Sequence, residues 1–173
     1  LYGLLLSSGN DAATAIAEHI SGSEEAFVEE MNARAKELMA VNTHFTNPHG
    51  LHDDNHYTTA YDLYLIFNTC IQNEEFMKVI EAESYTASIK EADGSVRTEE
   101  WKPTNYYARG IVNAPDGVTV VGGKTGTTGE AGYCLILLDR NSADHPYISI
   151  VMGAGSRDIL YQNMNALLEG TQN

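Results

Sequence analysis

At 173 residues, with 43% hydrophobic and 20% charged residues, the chain has the composition of one globular domain able to bury a core. Its 24 acidic against 10 basic residues give a formal net charge of -14, which repels nucleic-acid phosphates and anionic lipid surfaces and argues against nucleic-acid binding. No apolar run approaches the roughly 20 residues that a bilayer span needs, and no basic n-region with a small-residue cleavage site opens the sequence.

The first residues, Leu1-Tyr2-Gly3-Leu4-Leu5-Leu6, read as the middle of an apolar element with no initiating Met or cap, so Leu1 is expected to be a truncation point. Asn10 or Asp11 is expected to cap a helix running through Ile20, which makes Ser8-Gly9-Asn10 its entry turn. A second helix is expected from Ser23 to near Ala40, with Phe27, Met31, Leu38 and Met39 on its apolar face and Glu24, Glu25, Glu29 and Glu30 on a solvated one. Residues 42–57 are polar, hold Asn47-Pro48 and His49-Gly50, and read as an ordered loop. Thr59 and Asp62 then resemble a capping box, opening a helix with Tyr61, Leu65, Ile66 and Ile71, followed by a short one over 74–81.

After Glu83 the period changes from helical to alternating. Tyr85, Ala87 and Ile89, the turn Ala92-Asp93-Gly94, then Val96 and Thr98 predict a hairpin. An irregular stretch follows over 104–116. Strands are expected at 119–125, 133–139 and 147–153, and a closing helix over 157–168 carries Ile159, Leu160, Met164, Leu167 and Leu168. Helices first and strands later make the fold α+β, with a mainly helical part over 1–83 and a sheet part over 84–173.

Gly122-Gly123-Lys124-Thr125-Gly126-Thr127-Thr128-Gly129 is the most unusual segment. Two glycines before a Lys let a ligand approach the backbone, and a Thr hydroxyl beside an ammonium can hold a carboxylate, which suits an edge strand facing a cleft. A phosphate-loop reading fails, because Val118 stands where the leading glycine is needed. Four histidines, His44, His49, His52 and His56, with Asp53 and Asp54 between them, offer a metal-cluster reading, against which the loop context argues; no metal or other cofactor is expected. Trp101, Tyr106 and Tyr107 fit either a glycan groove or core packing. Cys70 and Cys134 show no metal or redox spacing, and two buried thiols is the reading preferred over one disulfide.

S-x-N on a helical turn followed by K-T-G on a strand is the order found in penicillin-binding proteins and class A β-lactamases. The chain resembles the low-molecular-weight penicillin-binding proteins, the serine D-Ala-D-Ala carboxypeptidases. The likeness runs through residues 6–13, Phe45-Thr46-Asn47-Pro48-His49-Gly50-Leu51, residues 123–128 with Ala131-Gly132-Tyr133, and residues 148–154. The Asn47 to Leu51 block and Thr127-Thr128 favour a carboxypeptidase over a β-lactamase. The resemblance implies the penicillin-binding serine transpeptidase fold and a substrate of peptidoglycan stem peptides ending in D-Ala-D-Ala. It also implies β-lactam binding by an intact enzyme, and an extracytoplasmic, membrane-associated parent protein. In such enzymes Ser8 would relay a proton, Asn10 would bind the peptide backbone, and Lys124 would supply charge at the carboxylate and the oxyanion. Thr125, within Lys124-Thr125-Gly126, would bond the carboxylate, and the strand backbone near Thr127 would give an oxyanion N–H.

Two departures stand out. No Ser in the sequence has a Lys three residues on, so the family's S-x-x-K nucleophile is absent from these residues and is expected upstream of Leu1. The chain alone is then expected to be inactive, and either marginal in stability or a homodimer covering apolar surface at Leu4 and Leu5. Leu160, not the Arg usual in the family, precedes Tyr161, and Arg157 one turn earlier is the substitute. The rival to a carboxypeptidase fragment is a non-catalytic module that recognises cell-wall peptide or a protein partner.

Overall fold

The computed structural model describes residues 1–172. In chain order the elements are α1 (Tyr2–Leu5), α2 (Asn10–Ser21), α3 (Glu24–Glu37), α4 (Ala60–Cys70), α5 (Glu74–Ile80), β1 (Tyr85–Lys90), β2 (Val96–Trp101), β3 (Thr119–Thr128), β4 (Gly132–Arg140), β5 (Pro146–Ala154) and α6 (Arg157–Gly170).

Short polar side chains start most of the helices. The hydroxyls of Ser23, Thr59 and Ser156 accept from the backbone N–H three residues on, and Asn73 accepts from Glu75 and Phe76. Three local expectations need correction. The cap of α2 is Gly9, not Asn10 or Asp11; Asn10 is already helical, and Asp11 accepts only from its neighbour Ala12. The Thr59 box is half formed, because buried Asp62 turns away to accept from Asn42 N and the Thr43 hydroxyl. Helix α3 stops at Glu37, where Met39 takes a left-handed φ of 63° and Ala40 N–H reaches back to Ala35 O, so Met39 points to solvent.

Strands β3, β4 and β5 form an antiparallel sheet in that order, and β1 and β2 form a separate antiparallel pair. The run Leu135-Ile136-Leu137-Leu138 is apolar without alternation because the central strand β4 is covered on both faces. On one face Leu135 and Leu137 pack with Leu160, Tyr161, Met164 and Leu168 of α6. On the other, Ile136 and Leu138 pack with Phe67 of α4 and Ile80 of α5, together with Leu5. Ile159 and Leu167 of α6 are exposed, as is Tyr61 of α4.

The hairpin stands against α1. Tyr85 stacks on Tyr2 at 3.9 Å between ring centroids, and the Trp101 ring lies against Gly3. Tyr106 stacks on Tyr161 at 5.1 Å and Tyr107 meets the same ring edge-on, so these three aromatics serve packing. Cys70 and Cys134 are free thiols, each only half-buried, which corrects the expectation of full burial.

Candidate active site

Strand β3 is an edge of its sheet, and its alternation divides the site in two. Lys124 pairs with Ile136 and Thr125 with Leu135, so their side chains leave opposite faces. Thr127 pairs with Tyr133 and shares the Thr125 face. A cleft of about 490 Å³ wraps this edge and is lined by all seven residues singled out in the sequence: Ser8, Asn10, Lys124, Thr125, Gly126, Thr127 and Arg157.

On the Lys124 side, the ammonium donates to Ser8 Oγ at 2.6 Å and to the Thr125 carbonyl at 2.7 Å. One N–H remains for the cleft. Burial lowers the Lys124 pKa to about 8. Ser8 accepts from the ammonium, so its own hydroxyl hydrogen is free. The turn that presents Ser8 is strained: Ser8 has φ 57°, a conformation that costs a non-glycine residue on the order of 1 kcal/mol. It is held by a 3.1 Å bond from Gly9 N to Gly3 O, and a β-carbon at Gly9 would lie 3.3 Å from that carbonyl. A β-carbon there would also lie 2.9 Å from Asp11 Oδ1, so both contacts favour a glycine at this turn.

On the Thr125 side, the Arg157 guanidinium donates to Tyr106 Oη at 2.9 Å and lies over the rings of Tyr106 and Tyr133, at 5.2 and 5.7 Å from their centroids. Leu160, at the position before Tyr161, is buried in the α6 core. The Thr104 hydroxyl meets the Thr125 hydroxyl at 2.6 Å. The segment carrying Thr104 is fixed to α6, since Tyr161 Oη accepts from Tyr106 N and Tyr107 Oη donates to Asn165 Oδ1.

The third wall is loop 42–57, through His49, Gly50 and Leu51. Asn47 ties it by accepting from Gly50 N and donating to Leu51 O, and Asn32 brackets Phe45 with two backbone bonds. The imidazoles are engaged locally. His56 Nδ1 accepts from Thr46 N and His49 Nδ1 from Leu51 N, while His44 Nδ1 meets Asn55 O. Among the described residues no three His, Cys, Asp or Glu converge as a metal site.

Gly122 and Gly123 have a different role from the one read in the sequence. A β-carbon at Gly122 would stand 2.5 Å from Ile80 O, and one at Gly123 would stand 2.1 Å from Ile136 O. They permit α5 and β4 to pack on the irregular start of β3, rather than admitting a ligand. Thr104 and Tyr133 line the cleft without having been singled out as binding residues. Thr104 lies in a stretch with no periodicity, and nothing in its local sequence marks it.

The family model described as D-alanyl-D-alanine carboxypeptidase matches residues 1–156. The chain is 37% identical over 156 residues to D-alanyl-D-alanine carboxypeptidase DacF of Bacillus subtilis, covering 90% of this chain and 37% of that protein. It is 38% identical over 143 residues to a D-alanyl-D-alanine carboxypeptidase of Streptomyces, covering 79% of this chain and 47% of the relative. A crystal structure of a Streptomyces DD-transpeptidase superposes with a TM-score of 0.84 at 30% identity, covering 99% of this chain and 65% of the other. Penicillin binding protein 5 from Haemophilus influenzae superposes with a TM-score of 0.82 at 32% identity, covering 98% and 45%. The chain thus spans between a third and a half of the curated relatives it matches.

Proposed function

Because this chain belongs to the D-alanyl-D-alanine carboxypeptidase family, we propose that its cleft holds the carboxylate end of a peptide terminating in D-Ala-D-Ala. Ser8, Asn10 and Lys124 then assist a serine nucleophile that is not among these 173 residues. The observation that carries the proposal is charge. Lys124 and Arg157 both line a cleft whose wall, among the described residues, contains no Asp or Glu, in a chain of net charge -14. Such a wall concentrates anions where the rest of the surface repels them.

An extended peptide lying along the β3 edge meets both halves of the cleft. Thr125, Thr127 and Arg157 bracket its terminal carboxylate, Gly126 leaves room at the strand edge, and the Asn10 amide bonds its backbone. Attack by the nucleophilic serine forms a C–O bond to the carbonyl of the penultimate D-Ala, while the serine proton passes to the lysine of the same S-x-x-K element. Lys124 supplies charge at the carboxylate end and, with the β3 N–H near Thr127, stabilises the oxyanion. Breaking the C–N bond releases the terminal D-Ala, whose amine takes its proton through the Ser8 hydroxyl. Water then cleaves the ester and restores the serine. Without that serine, these 173 residues recognise the peptide and do not turn it over. From the family membership we further propose that the intact protein is a target of β-lactams and acts at the extracytoplasmic face on a membrane-tethered parent. No described helix is itself long and apolar enough to cross a membrane.

The test is labelling with a fluorescent penicillin. The chain alone stays unlabelled. A chimera with the S-x-x-K-bearing segment of a family relative joined ahead of Leu1 becomes labelled, and Lys124→Met suppresses the labelling. A folded chimera that is not labelled, or labelling of Ser7 or Ser8 in the chain alone, contradicts the proposal.

A further inference from the structure

We infer that Thr104 is a positioning residue for ligand carboxylates: its hydroxyl sets the direction of the Thr125 hydroxyl and so makes the cleft selective for an anionic end. The inference rests on the proposed carboxylate site and extends it to a residue outside β3.

The two hydroxyl oxygens stand 2.6 Å apart, and either can be the donor. If Thr125 donates to Thr104, its single hydrogen is spent and its oxygen faces a ligand as an acceptor. If Thr104 donates, the Thr125 hydrogen is released toward the cleft. Neither side-chain oxygen has another hydrogen-bond partner among the described residues, so nothing in the free protein fixes the direction. An anion beside Thr125 does. It draws the Thr125 hydrogen toward itself, and the relay Thr104 to Thr125 to carboxylate becomes a chain of two bonds in which each polarises the next. A neutral carboxamide end, with one uncharged acceptor oxygen and N–H donors that favour the opposite direction, biases the pair less.

The geometry can sustain such a relay because Thr104 is well held. It lies between buried Pro103 and buried Asn105, and Asn105 Oδ1 accepts from Tyr107 N. The following Tyr106 and Tyr107 are pinned to α6 by Tyr161 and Asn165. Thr125 is held by β3 pairing opposite Leu135. A 2.6 Å contact between two fixed backbones positions a hydrogen; the same pair on mobile loops would not. Thr104 also lines the cleft itself.

The experiment compares N-acetyl-D-Ala-D-Ala with its C-terminal amide by NMR titration of the 173-residue chain. Wild type binds the acid in preference to the amide. Thr104→Val, which keeps the shape and removes the hydroxyl, weakens binding of the acid about three- to tenfold, the effect of one lost hydrogen bond, and weakens the amide less. Thr104→Ser restores the preference. If Thr104→Val does not fold, Thr104→Ala against Thr104→Ser makes the same comparison. Equal loss for acid and amide means a merely structural role and overturns the inference, as does an unchanged preference in Thr104→Val. A wild-type chain with no preference between acid and amide overturns instead the carboxylate site on which the inference rests.

Discussion

Asp139 of β4 is fully buried, at 0% exposure, and neither carboxylate oxygen has a hydrogen-bond partner among the described residues. It follows Leu135 and Leu137 on the face that α6 covers. Burial raises its pKa from 3.8 to about 6. The folded protein therefore binds this proton more tightly than the unfolded chain does. The stabilisation is fully present below 3.8 and is lost as pH rises through about 6. At about 1.4 kcal/mol per pH unit, the difference amounts to about 3 kcal/mol at pH 7. Asp139→Asn keeps the shape and cannot ionise. Its stability advantage over wild type is expected to grow by about 2.4 kcal/mol between pH 4 and 7, or roughly 5–10 °C in Tm for a domain of this size. Urea unfolding of both proteins at half-unit pH steps measures it. A difference between the two that stays flat across this range refutes the reasoning.

Other outcomes follow from the same structure. Gly123→Ala sets a β-carbon against Ile136 O and is expected to destabilise by ~3 kcal/mol or more, while Gly129→Ala, with open space around it, stays within about 1 kcal/mol by chemical denaturation. His56 accepts a bond from Thr46 N that only the neutral ring can accept, and burial holds its pKa below 6.5. That bond is intact above pH 6.5 and is lost as the ring protonates on acidification, so hydrogen exchange at the Thr46 amide, normalised for intrinsic pH dependence, accelerates at acid pH. With Lys124 near a pKa of about 8, acid-ended peptide binding weakens as pH rises through about 8, and a Lys124→Met titration flat through that range checks the assignment.

Most elements are legible in the sequence because caps and periods are local. Ser23 and Thr59 announce their helices, and the strand expected at 133–139 lies within β4, whose cover on both faces is apparent only in the fold. What fails to show is set by distant partners. Ser8 and Lys124 are 116 residues apart, and only the shared family pattern joins them; the 2.6 Å contact belongs to the fold. The Gly122-Gly123 pair looks like a ligand approach and is a packing requirement of Ile80 and Ile136. Asp62 looks like a box residue and is claimed by Asn42 and Thr43, twenty residues away. Thr104 has no local signature, since its role comes from an oxygen on another segment.

The central claim is that the Lys124 and Arg157 cleft takes the carboxylate end of a D-Ala-D-Ala peptide. It is tested most directly by titrating the labelled chain with N-acetyl-D-Ala-D-Ala and following Lys124, Thr125 and Arg157. Saturable shifts confined to these residues and to Ser8, Asn10, Thr104, Gly126 and Thr127 are predicted, with affinity falling about 10- to 100-fold in Lys124→Met, the effect of one charged hydrogen bond. Shifts elsewhere, or an affinity indifferent to Lys124→Met, contradict it.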